Sequence, residues 1–187
     1  MHLFWIASRT AGTAALLFSS VSMSVGLMMG GRLLKRRGPD LRVTHEALSL
    51  ATLVAIAVHA VVLLGDSFLH PSVADITIPF ASSYREPWMA MGIVGGWMLI
   101  LLGLSYYVRG RIGVERWRRL HRFTALAWLL GVAHALGEGT DAGTTWFLVS
   151  AGVVAAPAAL LLGARLLSGN AQRRPSALSA RAPKIGA

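Results

Sequence analysis

Residues 43–64 read VTHEALSLATLVAIAVHAVVLL. At 1.5 Å per residue this stretch makes a helix about 33 Å long, enough to cross a bilayer core of about 30 Å. It carries one acid, Glu46, no base, and one imidazole near each end, His45 and His59. Four other stretches are comparably apolar: residues 10–30, 88–108, 123–136 and 145–166. The run at 123–136 is the shortest and takes residues 119–122 as its polar end. The expected fold is therefore all-α: an integral membrane helical bundle of about five transmembrane helices over residues 1–167. Residues 168–187, rich in Arg, Pro, Ser and Ala, have too little apolar surface to fold alone and are expected to be a disordered tail.

Composition agrees. Of the 187 residues 55% are hydrophobic and 14% charged, against roughly 25% charged in soluble domains. There is no cysteine, which excludes disulfides, thiolate metal sites and iron–sulfur clusters. A net charge of +10 would suggest nucleic acid in a soluble protein, but here the charge lies between apolar runs and reads as membrane topology. No glycine-rich phosphate loop and no repeat at a fixed period is found.

The basic residues orient the chain. Arg32, Lys35, Arg36, Arg37 and Arg42 lie between the first two spans. Arg109, Arg111, Arg116, Arg118, Arg119 and Arg122 lie between the third and fourth, and Arg165, Arg173, Arg174, Arg181 and Lys184 at or beyond the end of the fifth. Only Arg9 and Arg85 fall on the opposite side. The positive-inside rule puts the larger set in the cytoplasm, with the N-terminus outside and the C-terminus cytoplasmic. The first span has its positive charge after the apolar run, unlike a signal peptide, and is expected to be retained. The longest outer connection, residues 65–87, holds Pro71, Pro79 and Pro87, which rule out a continuous helix.

His2 and His70 are in outer, non-spanning positions; His45, His59, His121 and His134 fall two each in the second and fourth spans. A single membrane histidine is ordinarily an interhelical hydrogen-bonding contact. The pattern argues for more. His45 and His59 are 14 positions apart, His121 and His134 13, or about 21 and 20 Å along a helix. The two spans run in the same direction, so His45 matches His121 in depth near the cytoplasmic edge, and His59 matches His134 nearer the outer face. Zinc or a di-metal centre would want carboxylates or ligands clustered within a few ångströms, and the spans offer only Glu46 as a buried candidate acid; a proton relay would want acids at intermediate depth. Two stacked b-type haems, each with two axial imidazoles, use all four residues. Ala55, Ala57 and Ala60 near His59, and Gly131, Ala133 and Ala135 near His134, leave room for a macrocycle. At 100° per residue the 13-residue spacing turns the second pair of residues onto different faces, so the fourth span needs tilt, a bulge or different ring rotamers, with Gly131 a suitable place for the adjustment.

The stretch Trp117-Arg118-Arg119-Leu120-His121-Arg122-Phe123, with the four histidines at spacings of 14 and 13, resembles the ferric reductase transmembrane family. That family includes the membrane part of NADPH oxidases and metalloreductases, and the haem-binding membrane subunit of the bacterial periplasmic methionine-sulfoxide reductase system. The resemblance covers roughly residues 32–136. It implies that His45 and His121 hold an inner haem iron, that His59 and His134 hold an outer one, and that electrons cross the membrane outward. Family members that are complete enzymes carry a flavin and nicotinamide domain after the last helix. Here about 20 residues follow the fifth span, so the implied electron donor is a separate cytoplasmic flavin reductase or quinol, and the chain is an oxidoreductase component. Many members also have six spans.

Haem propionates want cationic donors. Arg42, Arg119 and Arg122 are at the depth of the inner pair, and Arg85, helped by Tyr84, is near the outer. Trp88, Tyr106, Tyr107, Trp117 and Trp146 at span ends read as interfacial belt residues. Trp128 and Phe123 read as core packing within the fourth span, with a position between the haems as the other reading. His70 is a candidate ligand for a metal substrate. Expected partners are the electron donor, an outer acceptor or partner protein, and lipid of the plasma or inner membrane; nucleic acid is not expected. Two other functions fit the same spans: a quinol-oxidising cytochrome b anchor for a peripheral dehydrogenase, and a cofactor-free scaffold or transporter.

Overall fold

A computed structural model describes residues 3–30, 38–139 and 141–172. Regular structure in them is helical: α1 (Leu3–Gly30), α2 (Gly38–Leu63), α3 (Val73–Thr77), α4 (Glu86–Leu104), α5 (Arg109–Ile112), α6 (Val114–His121), α7 (Thr124–Glu138) and α8 (Thr145–Gln172), with a 3₁₀ turn at Ser105–Val108. Among the described residues four stretches are long and apolar enough to cross a membrane: Leu3–Gly30, Asp40–Leu63, Glu86–Ile112 and Thr145–Ser168. Val54, Val61, Leu101, Val153 and Leu160 point outward from them, as lipid-facing side chains do in helices apolar on every side. The protein is an integral, multi-pass helical bundle.

The expected fourth span is shorter than a membrane crossing. α7 has 15 residues, about 22 Å of helix. It is preceded by α6, and the two are joined through Arg122 and Phe123. There the bonds tighten to the i→i+3 pattern: the Phe123 N–H donates to the Leu120 carbonyl and the Ala125 N–H to the Arg122 carbonyl. This is where the chain makes the adjustment that the 13-residue histidine spacing requires. It does not occur at Gly131, through which α7 runs unbroken.

α1 lies antiparallel along α2 and also packs on α8 and α7; α4 pairs with α7; α2 and α4 meet lightly. Two helical pairs, α1–α2 and α4–α7, thus face each other across a cleft. Near one end Arg9 bonds Asp141 and lies 4.0 Å over the Trp5 ring, tying α1 to the turn before α8. The connection from α2 to α4 folds down along α4. Asp66 accepts from the Phe68 and Leu69 N–H groups at 2.7 and 2.9 Å. Ser72 caps α3 in a reciprocal box with Asp75, and its hydroxyl, then its backbone N–H, hold the Asp75 carboxyl below the usual carboxylate range. Farther on, Trp97 Nε1 donates to the Thr77 carbonyl at 2.9 Å. Trp97 shares a stripe of α4 with Ala90 and Ile93, both buried.

Of the basic residues used for orientation, Arg32, Lys35, Arg36, Arg37, Arg173, Arg174, Arg181 and Lys184 lie outside the described residues, as do His2 and 173–187. α8 extends to Gln172, so the first five residues of the expected tail are helical.

Candidate cofactor site: two facing histidine pairs

The antiparallel packing of α1 on α2, and of α4 on α7, brings four imidazoles to the central cleft as two pairs. The rings of His45 and His121 are 6.2 Å apart by centroid, with planes at 87°. Those of His59 and His134 are 6.4 Å apart, at 72°. These are the pairs expected from matched depth. The separation has chemical meaning. A metal–imidazole nitrogen bond is about 2.0 Å, and the ring nitrogen lies about 1.15 Å from the ring centre, so two imidazoles on opposite sides of one metal are about 6.3 Å apart by centroid.

Three of the four rings are held by their Nδ1 atoms. His59 Nδ1 is 2.8 Å from the Ser8 carbonyl and 3.0 Å from Ser8 Oγ. His45 Nδ1 is 3.0 Å from both the Ser22 carbonyl and Ser22 Oγ. His134 Nδ1 is 2.9 Å from the Trp88 carbonyl. A carbonyl oxygen only accepts, so each of these Nδ1 atoms carries the proton and donates it. The lone pair is then on Nε2, the arrangement found for metal-bound histidines whose other nitrogen is tied to an acceptor. His121 is held otherwise. Its ring stacks on Trp117 at 5.0 Å and 28°, Trp117 Nε1 donates to Ser105 Oγ at 3.1 Å, and its own Nδ1 is buried without a hydrogen bond.

Between His45 and His121 lies a cavity of about 60 Å³, lined by Ser19, Ser22, Thr52, Gly103, Thr124 and Trp128 among others. Gly131 leaves open space beside the outer pair: a Cβ there would meet nothing within 4 Å. Among the described residues no three His, Cys, Asp or Glu side chains converge. Each pair thus offers two imidazoles and no third such side chain, a donor set that would fit a metal whose other ligands arrive with it in a flat macrocycle.

The remaining candidate residues are distributed as follows. Arg42, Arg119 and Arg122 are exposed beside the inner pair, one turn before His45 and on either side of His121. Arg85 donates from its guanidinium to the Gly137 carbonyl at 2.7 Å, capping the end of α7, where a cation is also favoured by the helix dipole. Tyr84 and His70 are exposed. Trp128 sits midway between the pairs, 3% exposed, its Nε1 donating to Ser20 Oγ at 3.0 Å, while Phe123 is 54% exposed and lies outside the core. Trp88, Tyr107 and Trp146 keep exposed rings at helix ends, as expected of belt residues. Trp117 does not, being stacked on His121. Ala55 is buried but Ala57 is exposed, so only part of the small-residue set near His59 faces inward.

Sequence reading missed Ser8, Ser22, Gly12, Gly26 and Gly92. The signal was present in α1, where Ser8 and Gly12 recur as Ser22 and Gly26 after 14 residues, the spacing of His45 and His59. A family model described as ferric reductase like transmembrane component matches residues 11–132, well over half of the chain. No curated protein and no solved structure matches the chain.

Proposed function

Because the chain belongs to the ferric reductase-like transmembrane family, whose membership points to transmembrane electron transfer, we propose that it is a di-haem b-type cytochrome. It carries electrons from the cytoplasmic face to an acceptor outside. The observation that carries this reading is the geometry of the two histidine pairs: 6.2 and 6.4 Å between ring centres, with Nδ1 of three rings engaged and Nε2 left for a metal. His45 and His121 hold the inner haem iron, and His59 and His134 the outer. Bound there, haem supplies an iron that accepts and passes on one electron at a time.

The chain's own residues do the rest. α2 holds its two imidazoles about 21 Å apart along the helix, so two sites bridge most of an apolar layer that soluble carriers cannot cross. Trp128 closes the space between the sites and excludes water from it. Arg42, Arg119 and Arg122 offer cationic donors for the inner propionates. Arg85, next to the outer pair, serves the end of α7 and has further N–H groups for an outer propionate. The arginines from Arg109 to Arg122 make a basic surface suited to an acidic flavin reductase; quinol is the other donor that fits. With these arginines in the cytoplasm, the N-terminus lies outside.

Vesicles of defined sidedness test the reading. With a reductase supplied on the cytoplasmic face and a membrane-impermeant acceptor on the other, haem reduction followed by acceptor loss across the membrane is the expected result. Acceptor reduced only on the cytoplasmic side, or NAD(P)H oxidised by the purified chain unaided, would sink it.

A further inference from the structure

We propose that α1, which carries no haem ligand, is the element that fixes the orientation and donor strength of both α2 ligands, through Ser8 and Gly12 at the outer site and Ser22 and Gly26 at the inner. The proposal rests on the haem reading above.

A helical carbonyl already accepts from the N–H four residues on, and its second lone pair is free. The side chain at that fourth position normally covers the approach. At Ser8 and Ser22 the fourth residue is glycine. A Cβ on Gly12 would come within 3.0 Å of the His59 ring, and one on Gly26 within 3.0 Å of the His45 ring. The glycines uncover the carbonyls, and the imidazoles reach them at 2.8 and 3.0 Å. α4 repeats the device once: His134 reaches the Trp88 carbonyl, and a Cβ on Gly92, four residues on, would come within 2.6 Å of its ring.

The serine hydroxyls add to this in α1 only. Ser8 Oγ donates to the His59 carbonyl at 3.4 Å, and Ser22 Oγ is 2.9 Å from Ser49 Oγ. With the proton directed there, each hydroxyl oxygen turns a lone pair to the same Nδ1–H that the carbonyl receives. Two acceptors on one N–H push electron density onto Nε2 and favour the ferric over the ferrous state of a bound iron, as acceptors behind a ligating histidine generally strengthen it. His121 at the end of α6 and His134 on α7 lack this hydroxyl, so each iron would have one reinforced ligand, from α2.

The test uses the full-length chain purified with its haem. Ser22→Ala is expected to raise the midpoint potential of the inner haem alone, and Ser8→Ala that of the outer alone, with Ser→Thr at each position restoring it. Gly26→Ala and Gly12→Ala, which push on the rings themselves, are expected to weaken retention of the same haems on the order of 10-fold, read by pyridine haemochrome content. Potentials unchanged in both serine variants, or both haems moving together in each, would overturn the proposal. If the wild-type chain holds no haem, the cytochrome reading fails instead. The role of α1 is then judged by ¹⁵N NMR of the histidine rings, where Nδ1–H at His45 and His59 supports it and Nε2–H overturns it.

Discussion

At the residue scale the four histidines face each other as two pairs, and under the proposed function each pair should behave as one site. His59→Ala and His134→Ala are expected to remove the same haem, and His45→Ala and His121→Ala the other, each variant keeping half the haem content and one of the two redox transitions. A matching loss in His45→Ala and His134→Ala would contradict the pairing. Trp128 is a second test. It is 3% exposed and bonded to Ser20, so Trp128→Ala opens a cavity between the pairs and is expected to cost about 3–5 kcal/mol, seen as a lowered thermal midpoint in detergent. An unchanged midpoint would mean that the two helical pairs close over the gap. The histidines were legible in the sequence because depth along a helix depends only on counting residues. Their support was not. That Ser22 meets His45 depends on the register between α1 and α2, which is not written in the local pattern of either. The stack of Trp117 on His121 is different: the two are four residues apart on α6, a spacing that makes neighbours on any helix.

At the scale of elements, apolar length alone identified α1, α2, α4 and α8. It failed for α7, whose 15 residues pack on α4 and bring His134 opposite His59. Gly131 is the expected place for an adjustment in this span, but the chain leaves regular helix at Arg122–Phe123, where two i→i+3 bonds replace helical ones. Gly131 instead keeps space open beside His134. The segment around α3 was legible only as a connection broken by proline. Its bond from Trp97 to Thr77 draws it along α4, since Trp97 is eleven residues into that helix, about 16 Å from its start. The chain has no cysteine, so single cysteines report on this directly. In vesicles, Ile78→Cys is expected to react more slowly than Ser83→Cys with a membrane-impermeant maleimide, and to speed up when Trp97→Phe removes the bond. Equal rates with Trp97 intact would place the segment in water.

At the scale of the molecule, α1–α2 and α4–α7 form two walls, α8 backs the first, and the histidine pairs span the cleft between them. The fold class and the pairing follow from hydropathy and spacing, because a membrane helix must satisfy its backbone internally and so keeps a regular rise. Cofactor number, electron donor and acceptor do not follow in that way, being properties of what the walls enclose and of what docks at either end. The central claim is that the walls enclose two haems, and the most direct measurement is pyridine haemochrome content per mole of chain in protein purified without chelators. Two haems per chain is the result expected; a value near zero in folded, helical protein would contradict it.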